Sequence, residues 1–523
     1  MRKLLDNSTR RRLELLEYLN NASKWVSSNE LAINLDASLR TINSDIQYLR
    51  ENWHEYVTLE TSKKNGIRLT TPPNSHIQLI YQEIIRNSDN FLLLEKMFFC
   101  PTKNLDDWEN DLYSSYSSLY RTSQLIDEVM QKHGLELKKA PFHVSNKNEV
   151  SARYFFINYF NEIYFVRDWP FDIDRELVNS LSIDIAEEFF GVTYQEIDDL
   201  MLVYISYIIA VSLTRQSQGF WVDYKDFQPS LEKYLPVVVG KKGQLQTLAE
   251  RLNLTYNEAL IKDIALSIYL FRKDIISDKQ WEHISTGIDE FIDQLEEVLH
   301  VHPSDNDRYL IRRTFKAIYL HHQTYPHRED VLFNRYTYSA KLIMDNYPGY
   351  SSYLKFGLKQ LEEKTDFPWY TQYYDHMIYW LMIKWHNLAI LIDQKKRKAN
   401  VLVVNDHGKD HTLFLANLLQ HNFANKAVIT PYTGIMLSKE SLKILNWDDY
   451  DVIVSNFYIP DIPEEKLVLV NSYPSNQEWA KIRYAINTAH QLALELLHSI
   501  FSLNDDPSES SGAISSTKES ANG

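Results

Sequence analysis

Residues 27–50 read SSNELAINLDASLRTINSDIQYLR, and this stretch decides the fold of the N-terminal part. Ser27 stands as an N-cap with Glu30 three residues on, the spacing of a capping box. Leu31, Ala32 and Leu35 give the helix that follows its apolar side. Asp36-Ala37 supplies a turn. A second helix then runs from Ser38 to Arg50, with Leu39, Ile42, Ile46 and Leu49 at 3-4-3 spacing facing inward. Arg40, Thr41, Asn43, Ser44 and Gln47 are left facing outward.

Working outward, residues 9–22 (TRRRLELLEYLNNA) set Leu13, Leu16 and Leu19 on one face of an earlier helix, capped by Thr9. Downstream, Val57–Glu60 and Ile67–Leu69 alternate around Ser62-Lys63-Lys64-Asn65-Gly66, the pattern of a β-hairpin with an Asn-Gly turn. Three helices and a hairpin make a winged helix-turn-helix. A helix of this kind fits the DNA major groove, and polar side chains in its N-terminal half reach base edges. Arg40, Thr41, Asn43, Ser44 and Gln47 have the right chemistry for that contact. Lys63, Lys64 and Arg68 in the wing suit phosphates, which carry affinity more than specificity. The bland alternative is a small helical domain with an ordinary solvated face.

The outline then recurs. Residues 75–87 and 90–99 read as helices, 105–112 as a short one and 115–132 as a longer one. Ser117, Ser118, Tyr120, Arg121 and Gln124 lie on the last of these. Gly134 ends it as a C-cap. Leu135–Lys139 and Phe142–Val144 form a short hairpin across Ala140-Pro141, so a second helix-turn-helix with a wing is expected.

Composition bounds the rest. A chain of 523 residues with 44% hydrophobic and 24% charged residues suits several globular domains. Glycine is scarce, 13 in all, against an average of about 7%, which argues against a mainly β or loop-rich chain. The 34 tyrosines at helical spacing are more often core than ligand platform. No uncharged apolar run long enough for a membrane span is evident, and the basic start lacks the apolar region of a secretion signal. The single Cys100 excludes a disulfide framework or a cysteine-based metal site and fits a cytoplasmic setting. The net charge of −15 is uneven, because residues 1–72 carry +2 and the remainder −17. A positive end on an acidic body suits a DNA reader whose bulk does something else.

Residues 151–395 read as long helical stretches. Within them 248–272 can be laid on 361–385 without gaps, and Glu196–Leu200 resembles Asp305–Leu310, a faint duplication that makes each half one helical bundle. Lys395-Lys396-Arg397-Lys398 reads as a linker. Beyond it, strands at 400–405, 427–430, 451–455 and 467–471 alternate with helices at 408–421 and 475–502, a small α/β domain with a parallel sheet. Residues 504–523 are Ser-rich and acidic, the composition of a disordered tail.

The segment Leu112–Arg121 (LYSSYSSLYR), followed by His133–Leu137 and Pro141, resembles the second helix-turn-helix of the Mga-type virulence regulators of Gram-positive bacteria. Ser27–Arg50 resembles the first. The likeness extends over nearly the whole chain. It implies a transcription regulator, more often an activator, with two DNA-binding domains over 1–72 and 73–150. It implies two phosphotransferase-regulation domains over 151–285 and 286–395. It also implies a domain over 399–503 like the B component of the sugar phosphotransferase system. Expected partners are double-stranded DNA, a second copy or more of the chain through the C-terminal parts, and the general phosphotransferase proteins, with no membrane and no cofactor.

Regulation domains of that family can be phosphorylated on histidine. No histidine occurs between His143 and His283, so the first such domain has no interior acceptor. In the second, His321 and His322 fall where the duplicate carries Leu213 and Thr214, and His376 falls opposite Asp263. The three histidines are candidate phosphorylation sites, with ordinary surface or core side chains as the alternative. Asp263 reads as an exposed polar residue, although an aspartate there would also mimic a fixed negative charge. In the last domain Asn405 stands where a B component places its cysteine, and an amide is no nucleophile. His407 is a weak alternative acceptor. The pairs His300/His302 and His407/His411 lack a further metal-ligand motif, and no Walker A, Rossmann, GxSxG or HExxH pattern occurs. Against the regulator stand two readings: a phosphoryl carrier of the phosphotransferase system, and a DNA-binding scaffold without sensing.

Overall fold

The computed structural model describes residues 1–501 apart from 23–24, 63, 146–148, 166–167, 191–198, 224–234, 272–278, 328–329, 333, 435–445 and 460–461. Lys63, Glu196–Asp198 of the faint duplication and the tail 504–523 lie outside the described residues. The chain divides into two compact units, Met1–Ser277 with Lys316–Arg335, and Asp278–Phe315 with Tyr336–Gly523.

The first unit opens with α1 (Asn7–Asn21), α2 (Ser28–Asn34) and α3 (Leu39–Asn52). Helix α1 starts earlier than Thr9 because Asp6 is the cap, its carboxylate accepting from the backbone N–H of Ser8 (2.9 Å) and Thr9 (3.0 Å). A carboxylate also meets the positive end of the helix dipole, which a hydroxyl cannot match. Ser27 caps α2 by accepting from Glu30 N (3.1 Å), while the Glu30 carboxylate accepts from Tyr18 OH (2.9 Å). In α3, Ile42, Ile46 and Leu49 are buried, but Leu39 is 45% exposed. The buried stripe centres near Leu49 and Ile42, about 70° round the helix from Leu39 at 3.6 residues per turn. The inward place expected for Leu39 falls instead to Asp45, which is 1% exposed.

Strands β1 (Thr58–Ser62) and β2 (Gly66–Thr70) pair antiparallel with Leu59 opposite Leu69 and Ser62 opposite Gly66. Val26 adds a bridge to Ile67, with both N···O distances 2.8 Å. Gly66 has φ 101°, and a Cβ there would lie 2.3 Å from the Val26 carbonyl oxygen. The position therefore demands glycine twice over.

The second helix set is α4 (Ile77–Arg86), α5 (Asp89–Phe99) and α6 (Tyr116–Gln131), with the hairpin β3 (Glu136–Lys138) and β4 (His143–Ser145). The short helix expected at 105–112 is one 3-10 turn, Leu105–Trp108, held by an Asn104/Asp107 capping box. Helices α7 (Glu149–Ile163), α8 (Arg175–Phe190), α9 (Asp199–Ser217), α10 (Leu235–Gly240), α11 (Lys242–Arg251) and α12 (Glu258–Phe271) follow. Aromatic and branched side chains bury α7 almost all round. Leu200–Ser217 in α9 is long and apolar enough by length and mean hydropathy to cross a membrane, although Arg215 interrupts its uncharged run. It packs against α7, α8 and α12, and two thirds of it is buried, as a core helix is.

The second unit holds α13 (Lys279–Leu299), α14 (Asp305–Thr324, whose residues from Lys316 onward count with the first unit), α15 (Arg335–Asn346), α16 (Pro348–Thr365), α17 (Tyr374–Lys384) and α18 (Leu388–Lys395). Helices α11 and α12 fall on 355–364 and 371–384 under the gap-free alignment, where α16 and α17 lie. The basic linker is not loose. Lys396 is buried, its ammonium 2.7 Å from the Asp393 carboxylate and 4.7 Å from the Tyr347 ring centre. Arg397 reaches Asp451 at 2.7 Å.

Beyond it, β5 (Ala399–Val404), α19 (Lys409–Phe423), β6 (Ala427–Pro431), β7 (Val452–Ser455), β8 (Leu467–Leu469) and α20 (Asn476–Phe501) build a small α/β layer. All its strand pairs are parallel, in the order β6-β5-β7-β8. Val401 and Val403 face a core with Leu415, Leu419, Ile482 and Ile486 on one side, and Leu402 and Val404 face Ile453, Ile459 and Ile462 on the other. A strand buried on both faces reads as an unbroken apolar run, as ANVLVV does.

Candidate nucleic-acid interface

Helix α3 is fixed from below. Arg11 Nε and Arg12 Nε of α1 lie 2.6 and 3.0 Å from the two Asp45 oxygens. The Arg12 guanidinium also stacks 3.5 Å over the Tyr48 ring. This clasp sets the rotation of α3, and so sets which side chains look outward. It takes two arginines out of the supply for phosphate. Neither arginine nor Asp45 stood out in the sequence, yet the signal was there. A charged residue sat on the apolar stripe of α3, and a preceding helix began with consecutive arginines.

The outward face is then Arg40, Asn43, Ser44 and Gln47, all exposed. Gln47 donates to Glu51 at 2.8 Å. Thr41 is half-buried, its backbone N–H capped by Ser38 Oγ (3.1 Å) and its hydroxyl 2.8 Å from the same oxygen. In the wing, Lys64 is exposed at the tip, while Arg68 pairs with Glu60 across the hairpin at 2.9 Å and lies over the Trp25 ring.

Helix α6 repeats the design. Ser115 caps it by accepting from Ser118 N (3.4 Å), as Ser38 caps α3 through Thr41 N. Aligned on the caps, buried Leu119 and Ile126 match Ile42 and Leu49, and buried Ser123 matches Ile46. Ser117, Ser118, Tyr120, Arg121 and Gln124 are all exposed. The sequence reading passed over Tyr113, which is 97% exposed, and Tyr116, whose ring stacks on Tyr120 at 6.3 Å. Lys139 on the second wing lies 5.9 Å from the Tyr120 ring centre.

The candidate histidines are divided between the two units. His321 is buried, its ring 5.3 Å from Tyr154 of α7, and His322 is half-buried. Both sit in the segment that packs into the first unit. There Tyr325 stacks on Tyr154 and its hydroxyl lies 3.0 Å from buried His133 Nδ1. Burial lowers the pKa of His322, helped by His321 and His327, and burial likewise lowers that of His327. His376 lies against Tyr336 at 4.2 Å in the other unit. Asp263 is not the exposed residue expected. It is 1% exposed and accepts from Arg153 Nη2 (3.0 Å), Gln216 Nε2 (2.6 Å) and the Val222 N–H (2.9 Å). Glu149 in turn receives two 2.7 Å bonds from Arg215. One-dimensional spacing gives no hint of this network, whose members lie on α7, α9 and α12.

In the C-terminal layer Asn405 is buried, its Oδ1 accepting from His407 N at 2.9 Å. His407 Nδ1 lies 2.8 Å from Ser472 Oγ. Among the described residues no group of three His, Cys, Asp or Glu side chains is placed to hold a metal ion.

Fold and site together define a protein with two helix-turn-helix domains at its N-terminal end. A family profile described as a helix-turn-helix domain matches residues 11–68, and one described as the Mga helix-turn-helix domain matches residues 73–160. Three relatives run nearly end to end. A provisionally named trans-acting regulator of Streptococcus pneumoniae serotype 4 is 26% identical, covering 95% of this chain and 100% of that protein. The capsule synthesis positive regulator AcpB of Bacillus anthracis is 22% identical over 92% and 99%. The anthrax toxin expression trans-acting positive regulator of the same species is 20% identical over 91% and 98%. The chain thus carries an Mga-type helix-turn-helix domain and is similar along its length to these trans-acting regulators.

Proposed function

We propose that the chain is a DNA-binding activator of transcription that acts in the cytoplasm. Arg40, Thr41, Asn43, Ser44 and Gln47 on one helix, and Ser117, Ser118, Tyr120, Arg121 and Gln124 on the other, meet base edges. Lys63, Lys64 and Arg68 meet phosphates. The observation that carries this reading is the pair of helices capped alike by Ser38 and Ser115, each with its apolar stripe buried and its polar face exposed. The positive regulators of Bacillus anthracis that match the chain along its length support activation over repression.

The rest of the chain, on this proposal, carries two phosphotransferase-regulation domains and a B-component-like domain through which copies of the chain associate. Its input is phosphorylation of His322 or His376 by general phosphotransferase proteins, with buried His321 accessible only when its segment opens. Asn405 cannot carry phosphate as a cysteine does, which disfavours a phosphoryl carrier.

Gel shifts on genomic fragments at two salt concentrations test the DNA reading. The Arg40→Ala/Gln47→Ala variant is expected to lose binding on preferred fragments by roughly ten-fold or more, at ~1–3 kcal/mol per base contact, and to keep salt-sensitive background binding. Unchanged binding would show that the first helix only docks.

A further inference from the structure

The two recognition helices share a frame but not a chemistry. In the cap alignment Asn43 is matched by Tyr120 and Leu39 by Tyr116. Tyr116 is 44% and Tyr120 38% exposed, and their rings lie nearly parallel, 10° apart in plane. They occupy the first and fifth positions of α6, the part of a recognition helix that meets base edges. Arg121 and Lys139 flank them with positive charge, and Tyr113 stands fully exposed just before the helix. A stacked aromatic pair left exposed on the part of the helix that faces a groove is suited to a partner with apolar surface. In the major groove the one such surface is the thymine C5-methyl group. Phosphate oxygens call for donors, which the tyrosine hydroxyls can supply but the ring edges cannot, and the polar edges of the other bases show donors and acceptors there.

We infer that Tyr116 and Tyr120 read thymine methyl groups, so that the second helix-turn-helix selects thymine at its base positions while the first reads hydrogen-bonding edges. This inference rests on the DNA-binding reading proposed above. The stacked pair is pre-ordered, so little side-chain entropy is lost when the methyls are covered. Arg121 and Lys139 supply the phosphate attraction that an aromatic edge lacks.

The test uses the full chain. Duplexes are selected by it from a random-sequence pool, and one is remade with deoxyuridine at every thymidine, which deletes only the methyl groups. For the wild type the uridine duplex is expected to bind roughly four-fold more weakly per methyl read, the ~0.8 kcal/mol of one buried CH2. Tyr116→Ser/Tyr120→Ser is expected to bind the thymidine duplex as weakly as wild type binds the uridine one, with no further loss on uridine. Tyr116→Phe/Tyr120→Phe keeps the rings and should retain the discrimination. Circular dichroism on each variant separates loss of fold from loss of contact. Equal wild-type affinity for both duplexes overturns the inference. So does a serine variant that still discriminates fully, since the methyls are then read elsewhere. Unchanged DNA binding with lost recruitment of RNA polymerase would make the aromatic edge a protein-docking face and overturn it too. If no duplex is enriched at all, the DNA-binding reading itself fails, and that outcome is distinct from the others.

Discussion

Asp45 illustrates how one residue orients the outward face of a helix. It is buried, and Arg11 and Arg12 of a neighbouring helix more than offset its charge. Removing the carboxylate leaves two arginines that are only partly exposed and deletes charged hydrogen bonds, each of which contributes about 1.5–3 kcal/mol. Asp45→Ala should therefore destabilise by a few kcal/mol and weaken DNA binding although it touches no base. Urea unfolding and gel shifts on the same variant check both. Stability equal to wild type would mean that the clasp does not position α3. The outward residues of α3 were legible because period and exposure agree there. Asp45 and Asp263 were not, because a buried charge is satisfied by partners far along the chain. Asp263 needs Arg153 and Gln216, and nothing local distinguishes such an aspartate from a solvated one.

At the scale of the element, caps and turns were the readable features. Ser27 is the N-cap its spacing indicated, and Gly66 and Gly134 both take positive φ, whereas Ser38 and Ser115 cap helices in which the sequence placed them as first residues and Asp6 displaces Thr9 as the cap of α1. Each is a short-range rule, satisfied by residues within one turn. The misreadings came where tertiary packing outranked the local rule. Leu39 lost its inward place to a salt-bridged aspartate, and the expected linker at Lys395–Lys398 is pinned by Asp393, Tyr347 and Asp451. The parallel sheet was legible from β5 because a central strand must be apolar on both faces. The serine caps make a prediction. Ser38→Ala and Ser115→Ala should each cost about 0.5–2 kcal/mol, and each should weaken DNA contacts of its own helix only. Footprinting of the two variants should lose protection over different half-sites. Identical footprints would mean that the helices do not act as separate readers.

For the molecule as a whole, the positive end and acidic body were visible in the sequence, but the fold divides the chain in a way no linear reading shows. Lys316–Arg335 belongs with the first unit, where Tyr325 meets His133 and His321 meets Tyr154. The candidate phosphate acceptors His321 and His322 are thus packed into the unit that carries both helix-turn-helix domains. Burial lowers the pKa of His322 and of His327 from the usual 6.5. A histidine whose folded pKa is depressed binds fewer protons folded than unfolded between the two values. Its contribution to stability is present above pH 6.5 and is lost as pH falls from there toward the folded pKa. Acidification from about pH 7.5 to about pH 5.5 should therefore lower the unfolding midpoint of the first unit and reduce amide protection factors, corrected for the intrinsic exchange rate at each pH, in 316–335 and the facing part of α7. His322→Gln/His327→Gln should flatten that dependence, since neither glutamine titrates. The flattening isolates these two rings from His143, whose pKa burial also lowers. If the double variant keeps the full wild-type loss on acidification, these two rings are not the groups whose protonation destabilises the unit.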